Sequence, residues 1–247
     1  MKAEPSAQQT LLDLQAKDSV IAQLNHRRVS LPENARIGEL DAEVATLDGR
    51  RIEASTRVSD LEREQKQADQ DVELVKTRRA RNEERLNSGA VTNPKDLEGL
   101  QHEIVALDRR IGTLEDAELE VMEALEEAQG QLDEVVKALE ELRVQHDEVA
   151  ARRDTALGEI DAELSDAEAG RGALAARVPD DLLALYEKLR ANQGGVGAAL
   201  LRAKRCEGCR LELNGADLRE LSQAPDDEVL RCPECSRILV RTSESGL

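Results

Sequence analysis

The chain has 247 residues, a formal net charge of −18 and a sequence pI of about 4.7. An acidic balance of this size works against non-specific binding to phosphate backbones, whose strength comes from Lys and Arg. With no Phe, no Trp and one Tyr, the chain lacks both the aromatic platforms on which single-stranded nucleic acids stack and the usual fillers of a globular core. Charged residues make up 35% and Ala, Leu, Glu and Arg abound, which is the composition of long helices or coiled coils.

The first ten residues, Met1 to Thr10, are polar and carry no apolar signal-like core, and no apolar run along the chain is long enough to span a bilayer. The expectation is a cytoplasmic protein with reduced thiols. A short helix is expected over Ala7 to Val29. Pro32 should break it, after Leu31.

A first long helical arm is expected from about Ser6 to Asn87, its distal part starting at Glu33. Its a/d register holds Ile37, Leu40, Val44, Leu47, Ala54, Val58, Leu61, Ala68, Val72, Val75 and Leu86, with polar interruptions at Arg51, Gln65, Arg79 and Asn82. The segment Asn87-Ser-Gly-Ala-Val-Thr-Asn-Pro94 then breaks the helix. Pro94 suits the first turn of a new helix and Asn93 its N-cap. The second arm, from Pro94 to Val178, has the stronger seam: between Leu97 and Val149 fourteen of sixteen a/d positions are apolar, the exceptions being Glu118 and His146. A period near 3.5 predicts a left-handed supercoil, and a short loop between two long helices predicts antiparallel pairing. An arm of roughly 80 residues is about 120 Å long if straight. The helix over Ala7 to Val29 should then pack on the end of the second arm, Arg152 to Ala176.

Charge favours this pairing. Ser6 to Asn93 holds 16 acidic and 14 basic residues, and Pro94 to Val178 holds 23 acidic and 9 basic. Near the turn, Lys76, Arg78, Arg79, Arg81 and Arg85 should lie beside Asp96, Glu98, Glu103 and Asp108. The acidic run Glu115, Asp116, Glu118, Glu120, Glu123, Glu126 and Glu127 reads either as a solvated face or as a docking surface for a basic partner.

After Val178 the pattern changes. Pro179 opens a short helix with Leu182, Leu183, Leu185, Tyr186 and Leu189 on its apolar side, and Gly194-Gly-Val-Gly197 reads as a hinge. Short strands are expected at Ala198 to Ala203, Arg210 to Asn214, Glu228 to Arg231 and Ile238 to Arg241, with a helix over Ala216 to Gln223. Among them lie the only four cysteines, as two matched pairs: Cys206-Glu-Gly-Cys209 and Cys232-Pro-Glu-Cys235. One C-x₂-C turn supplies two thiolates from one short loop, and two such turns complete a tetrahedron around Zn²⁺. Two disulfides, or a redox-active pair, are the competing readings. The first needs an oxidising compartment. The second needs one pair at a helix start rather than two pairs flanking a short insert. A site with four protein ligands keeps no open position for water or substrate, so its role is structural.

Three stretches together resemble the bacterial C4-type zinc-ribbon, helical-hairpin family: Val91-Thr-Asn-Pro-Lys-Asp-Leu-Glu-Gly-Leu-Gln-His-Glu-Ile104, Val178-Pro-Asp-Asp-Leu-Leu-Ala-Leu-Tyr-Glu-Lys-Leu-Arg190, and the cysteine array ending Cys232-Pro-Glu-Cys235-Ser-Arg-Ile-Leu239. The preference for Arg over Lys points to a high-GC, actinobacterial member. The resemblance implies a mainly α fold, a long antiparallel coiled-coil hairpin with a small C-terminal β zinc ribbon, and zinc ligation by Cys206, Cys209, Cys232 and Cys235. It also implies an adaptor role, with RNA binding in some relatives. Ribbons of this kind often place Gly after the second cysteine of each knuckle, where this chain has Arg210 and Ser236.

The expected division is residues 1–178 for the hairpin, with its break near Pro32 and its turn at about 88–94, and 179–247 for the short helix and ribbon. His26, His102 and His146 are far apart, and His102-Glu103 lacks a second histidine at zincin spacing. Carboxylates are too evenly spread to single out an acid–base pair, and no nucleophile–base arrangement or phosphate loop is present. The function expected is non-enzymatic: a monomeric adaptor or scaffold with a protein partner and no small-molecule substrate. Alternatively, the ribbon binds RNA or DNA, or acts as a transcription-associated regulator, with Arg202, Lys204, Arg205 and Arg210 as the nucleic-acid contacts, although Leu200 to Leu247 balances 8 basic against 9 acidic residues.

Overall fold

The computed structural model describes all residues, Met1–Leu247. It comprises α1 (Pro5–Val29), α2 (Pro32–Asn87), α3 (Pro94–Ala175), α4 (Asp180–Asn192), β1 (Ala198–Arg202), β2 (Arg205–Cys206), α5 (Gly215–Gln223), β3 (Leu230–Arg231) and β4 (Ile238–Val240). The fold is mainly α, a long antiparallel helical hairpin with a small strand region at its C-terminal end. No helix is long and apolar enough to cross a membrane.

Prolines set the helix starts. Pro5, Pro32 and Pro94 each open a helix, where the missing N–H has no intrahelical partner to lose. Asn93 Oδ1 accepts from the Lys95 N–H at 3.1 Å and caps α3. At the other end of α1, His26, Arg27 and Arg28 occupy the last turn, opposite in sign to the helix dipole there.

Packing groups the chain into two compact units, Arg36–Val149 and, together, Met1–Ala35 with Ala150–Leu247. This grouping differs from a cut after Val178, because α1 and the last turns of α3 share cores with α4 and the strands.

In the unit Arg36–Val149, α2 and α3 meet along the apolar seam. Val58, Leu61, Leu125 and Ala128 form a buried cluster there, and Leu40, Val72, Leu100, Leu107, Leu139 and Val149 are buried along the same helices. Polar contacts across the seam record its register. His146 Nε2 lies 3.4 Å from Asp41 Oδ1, Asp69 meets Glu118, and Arg79 pairs with Asp108. Asp41 to Arg79 and Asp108 to His146 are equal stretches of chain, so the antiparallel register holds without a slip between them. Lys76–Glu115 and Arg78–Glu103 add to this ladder, whereas Arg81 and Arg85 form no ion pair. These side chains are more than a third exposed, so each pair contributes little.

In the other unit the sheet order is β2-β1-β4-β3, with β1 and β4 parallel and the remaining pairs antiparallel. Strand alternation splits its side chains between two cores. Ala198, Ile238 and Val240 face Ala7, Leu11 and Leu14 of α1 and Leu182, Tyr186 and Leu189 of α4. Ala199, Leu201 and Leu239 face Leu213, Leu221 and the cysteines. The expected packing of the first helix on the second arm is present as a third cluster, Leu24, Leu31, Ile160, Leu164 and Ala167.

Two local expectations are corrected. Arg210 to Asn214 forms no strand: the turn after Cys209 leaves only one bridge, between Arg205 and Glu212. Gly194 to Gly197 is a clamped turn rather than a hinge. Gly194 and Gly195 take φ of 65° and 89°, a region glycine enters without steric cost. Gln15 then grips the loop: its Nε2 donates to the Gly195 carbonyl at 3.0 Å, and its Oε1 accepts from the Gly197 N–H at 2.7 Å.

Candidate metal centre

Both cysteine pairs sit on turns of the same construction. The Arg210 N–H donates to the Cys206 carbonyl at 2.7 Å, and the Ser236 N–H donates to the Cys232 carbonyl at 2.8 Å. Each turn is closed by a residue at φ 62°, Arg210 in one and Ser236 in the other. These are the positions where glycine is expected, and here side chains occupy the left-handed region. Gly208 gives the first turn close approach: a Cβ there would lie 2.9 Å from Ala199 Cβ and from Arg237 Cδ.

The turns bring the four sulfurs within 4.8 Å of one another. Cys206 and Cys235 are 4.0 Å apart, and Cys209 and Cys232 are 3.9 Å apart. A Zn–S distance of about 2.3 Å in a tetrahedron puts sulfurs roughly 3.8 Å from each other. The set therefore fits one zinc ion, and all four cysteines are free thiols. Cys206 and Cys232 are buried at the back of the site, while Cys209 and Cys235 are partly exposed.

Electrostatics differ between the sulfurs. Burial pushes the Cys206 and Cys232 thiols up from their ordinary value. Burial also works upward on Cys235. There it is outweighed by hydrogen bonds from the backbone and side chain of Arg237, with help from Cys232 and Cys209, and the thiol falls to about 7. Arg237 also anchors the site. Its Nε donates to the Val196 carbonyl at 3.0 Å and its Nη2 to the Gln193 carbonyl at 2.7 Å, tying the second knuckle to the loop after α4.

The other basic residues divide into two groups. Arg231 donates to the Ser236 carbonyl at 2.9 Å, and Arg241 donates to the carbonyls of Leu221 and Ala224, where it caps α5. Of the four residues marked by the sequence for nucleic acid, Arg202 is ion-paired with Glu244 at 3.0 Å. Lys204, Arg205 and Arg210 are exposed and form no ion pair. Ala203 and Lys204 make the tight turn between β1 and β2 at positive φ, with their N–H groups bonded to the carbonyls of Glu244 and Ser245.

One buried polar cluster escaped sequence reasoning. Asp18, with a side chain 3% exposed, receives Arg171 Nε at 2.8 Å, and Arg190 lies 3.5 Å away. Tyr186 Oη donates to it at 2.7 Å. The one signal available was the lone tyrosine of a chain otherwise free of aromatics.

Comparison with known proteins places this geometry in context. A family profile for the CT398-like coiled coil hairpin domain matches residues 14–194, and one for the C4-type zinc ribbon domain matches residues 205–239. The Mycobacterium tuberculosis protein Rv2229c is 37% identical over 241 residues, 98% of each chain. A solved protein from Mycobacterium smegmatis superposes with a TM-score of 0.85 at 35% identity, covering 98% of this chain and 100% of that one. The structure of CT398 from Chlamydia trachomatis shares the fold at 18% identity, with a TM-score of 0.67 and coverage of 96% and 98%.

Proposed function

The chain belongs to the CT398-like coiled-coil hairpin family, and from that premise we propose that it is a cytoplasmic, monomeric, non-enzymatic adaptor or scaffold. Its protein contacts are made by the hairpin and the ribbon together. The carrying observation is the closed four-sulfur site: with Cys206, Cys209, Cys232 and Cys235 all bound to one Zn²⁺, no coordination position is left for a substrate, and the metal acts on folding alone. By role the chain divides into residues 1–178, the hairpin, and 179–247, the helix and ribbon.

The hairpin has surface to offer a partner. Ile52, Leu74, Val105, Leu119, Met122, Val136 and Val144 are exposed on α2 and α3, with Leu74 at 70%, and Leu119 and Met122 lie within the acidic run Glu115 to Glu127. The test is affinity capture from the native cell with the full chain and with a version shortened at the turn between Leu86 and Leu97. The expected result is loss of a defined set of proteins from the shortened version. Unchanged lists remove the turn's role, and capture of no protein by either version overturns the adaptor reading.

A second reading rests on Lys204, Arg205 and Arg210, exposed and unpaired around the first knuckle, which suit contact with a phosphate backbone. Gel-shift titrations of RNA and DNA at two salt concentrations test it: binding should weaken with salt and with charge reversal at Lys204 and Arg205. Binding indifferent to both changes rules it out.

A further inference from the structure

The loop Gln193–Gly197 is gripped from two sides by side chains of different elements. On one side stands Arg237, two residues past Cys235. Its Nε and Nη2 donate to the Val196 and Gln193 carbonyls at 3.0 and 2.7 Å. The same residue meets both knuckles. Its carbonyl accepts from the Cys232 N–H at 2.9 Å, and its Cδ stands where a Cβ on Gly208 would come within 2.9 Å. Arg237 thus joins the first cysteine turn, the second cysteine turn and the loop.

On the other side stands Gln15 of α1, buried. Its Nε2 donates to the Gly195 carbonyl at 3.0 Å and its Oε1 accepts from the Gly197 N–H at 2.7 Å, with the Tyr186 hydroxyl 3.2 Å from the same oxygen. Through Tyr186 this grip is continuous with Asp18 and Arg171. The loop then enters the sheet directly, since the Gly197 carbonyl accepts from the Ile238 N–H at 3.0 Å. Three of its five residues are glycine, the residue that loses most backbone freedom on ordering. Whichever grip closes first meets that cost, and the second closes on a loop already ordered. Two sites that share an ordering cost in this way assist each other without any contact between them.

We propose that Gln15 is a positioning residue for the zinc centre, acting through the loop Gln193–Gly197 and Arg237, so that metal binding at the cysteines and the seating of α1 on α4 strengthen each other. Gln15 itself bonds to no residue of either knuckle. The coupling is reciprocal: whatever Gln15 adds to zinc affinity, bound zinc adds to the hold on α1.

The experiment is a double-mutant cycle on the full-length chain, read as zinc affinity by competition with a chromophoric chelator. Gln15→Met keeps the side-chain length and removes both bonds to the loop. Arg237→Met keeps the stem beside Gly208 and removes the guanidinium. Gln15→Met should bind zinc about fivefold more weakly or worse while still taking up one ion per chain. In the Arg237→Met background the same change should cost less than about twofold, because the link it acts through is already cut. Leu24→Ala weakens the same unit at a cluster away from the loop. Its zinc affinity should stay within about twofold of the wild type, which separates positioning from a general loss of stability. Gln15→Asn, one methylene shorter, is measured beside Gln15→Met and should behave alike, so that one variant failing to fold leaves the other to decide. Unchanged zinc affinity in the folded Gln15 variants, the full cost persisting in the Arg237→Met background, or an equal loss in Leu24→Ala would each overturn the proposal.

Discussion

Tyr186 donates its phenolic proton to Asp18 at 2.7 Å, joining α4 to α1 where both residues are buried. Arg171 of α3 completes the charge balance at 2.8 Å. Three helices thus meet on one carboxylate. Tyr186→Phe keeps the ring and removes the donor. Because the acceptor is charged, unfolding free energy should fall by about 1.5–3 kcal/mol in urea titrations. Burial, followed by the bond to Asp18, pushes the Tyr186 hydroxyl well above its ordinary value. A group raised in the folded state contributes fully below its unfolded pKa of about 10 and loses that contribution above it. The wild-type urea midpoint should therefore fall above about pH 10. Tyrosinate absorbance, from the chain's one tyrosine, should appear only with unfolding.

Removing the metal should act on one unit and spare the other. Each thiol binds zinc only after shedding its proton. One zinc per chain is expected by elemental analysis, with release to a chromophoric chelator becoming easier as pH falls. The chelated protein should lose the dispersed amide signals of residues 198–241 while keeping its helical circular dichroism, because α2 and α3 pack on each other. Cys232→Ser should have the same effect without chelator.

The two knuckle residues at φ 62° carry a strain that glycine relieves. Ser236→Gly should raise stability by about 0.5–1 kcal/mol in thermal unfolding, the cost of a side chain in the left-handed region exceeding the chain entropy glycine adds. Arg210→Gly should do the same, and both variants should retain zinc.

Gly197 is the reverse case. A Cβ there would lie 2.6 Å from the Tyr186 carbonyl oxygen and 2.8 Å from its ring. Neither neighbour gives way, because the backbone is helical and the ring is fully buried. Gly197→Ala should destabilise by about 1–3 kcal/mol, measured by urea unfolding, with weaker zinc retention as β1 shifts.

At the seam, the hydrogen bond with Asp69 is the first cause raising the Glu118 carboxyl, helped by desolvation and by the charge of Asp69. A raised folded value gives stability that is present at acidic pH and lost as pH rises through the ordinary carboxylate range. Glu118→Gln keeps a donor for Asp69 at every pH. Its thermal midpoint should exceed that of the wild type at pH 7 and match it near pH 4.

The hairpin was legible because its seam is long: fourteen apolar residues in sixteen a/d positions outweigh Glu118 and His146. The four cysteines were legible because zinc chemistry fixes their spacing. The grip of Gln15 on Gly195 and Gly197, and of Arg171 on Asp18, was not. Those partners lie more than 150 residues apart, and a glutamine or aspartate on a helix carries no local mark of its distant partner. The antiparallel bridge between Met1–Ala3 and Asp227–Val229, in which the Val229 N–H donates to the Met1 carbonyl at 3.0 Å and the Ala3 N–H to the Asp227 carbonyl at 2.8 Å, was hidden for the same reason. The strand expected at Arg210 to Asn214 failed because one bridge at Glu212 satisfies the knuckle, and no strand partner continues beyond it.

The pairing of Met1–Ala3 with Asp227–Val229 has a consequence for how the chain matures on the ribosome. Residues 1–35 are synthesised first, yet the unit to which they belong closes only when Ala150–Leu247 has emerged. The inserted segment, Arg36–Val149, holds its packing partners within itself and has no such wait. Nascent chains should therefore hold a finished coiled coil while their opening residues stay unpaired, with metal capture and the docking of the first three residues among the last events of biogenesis.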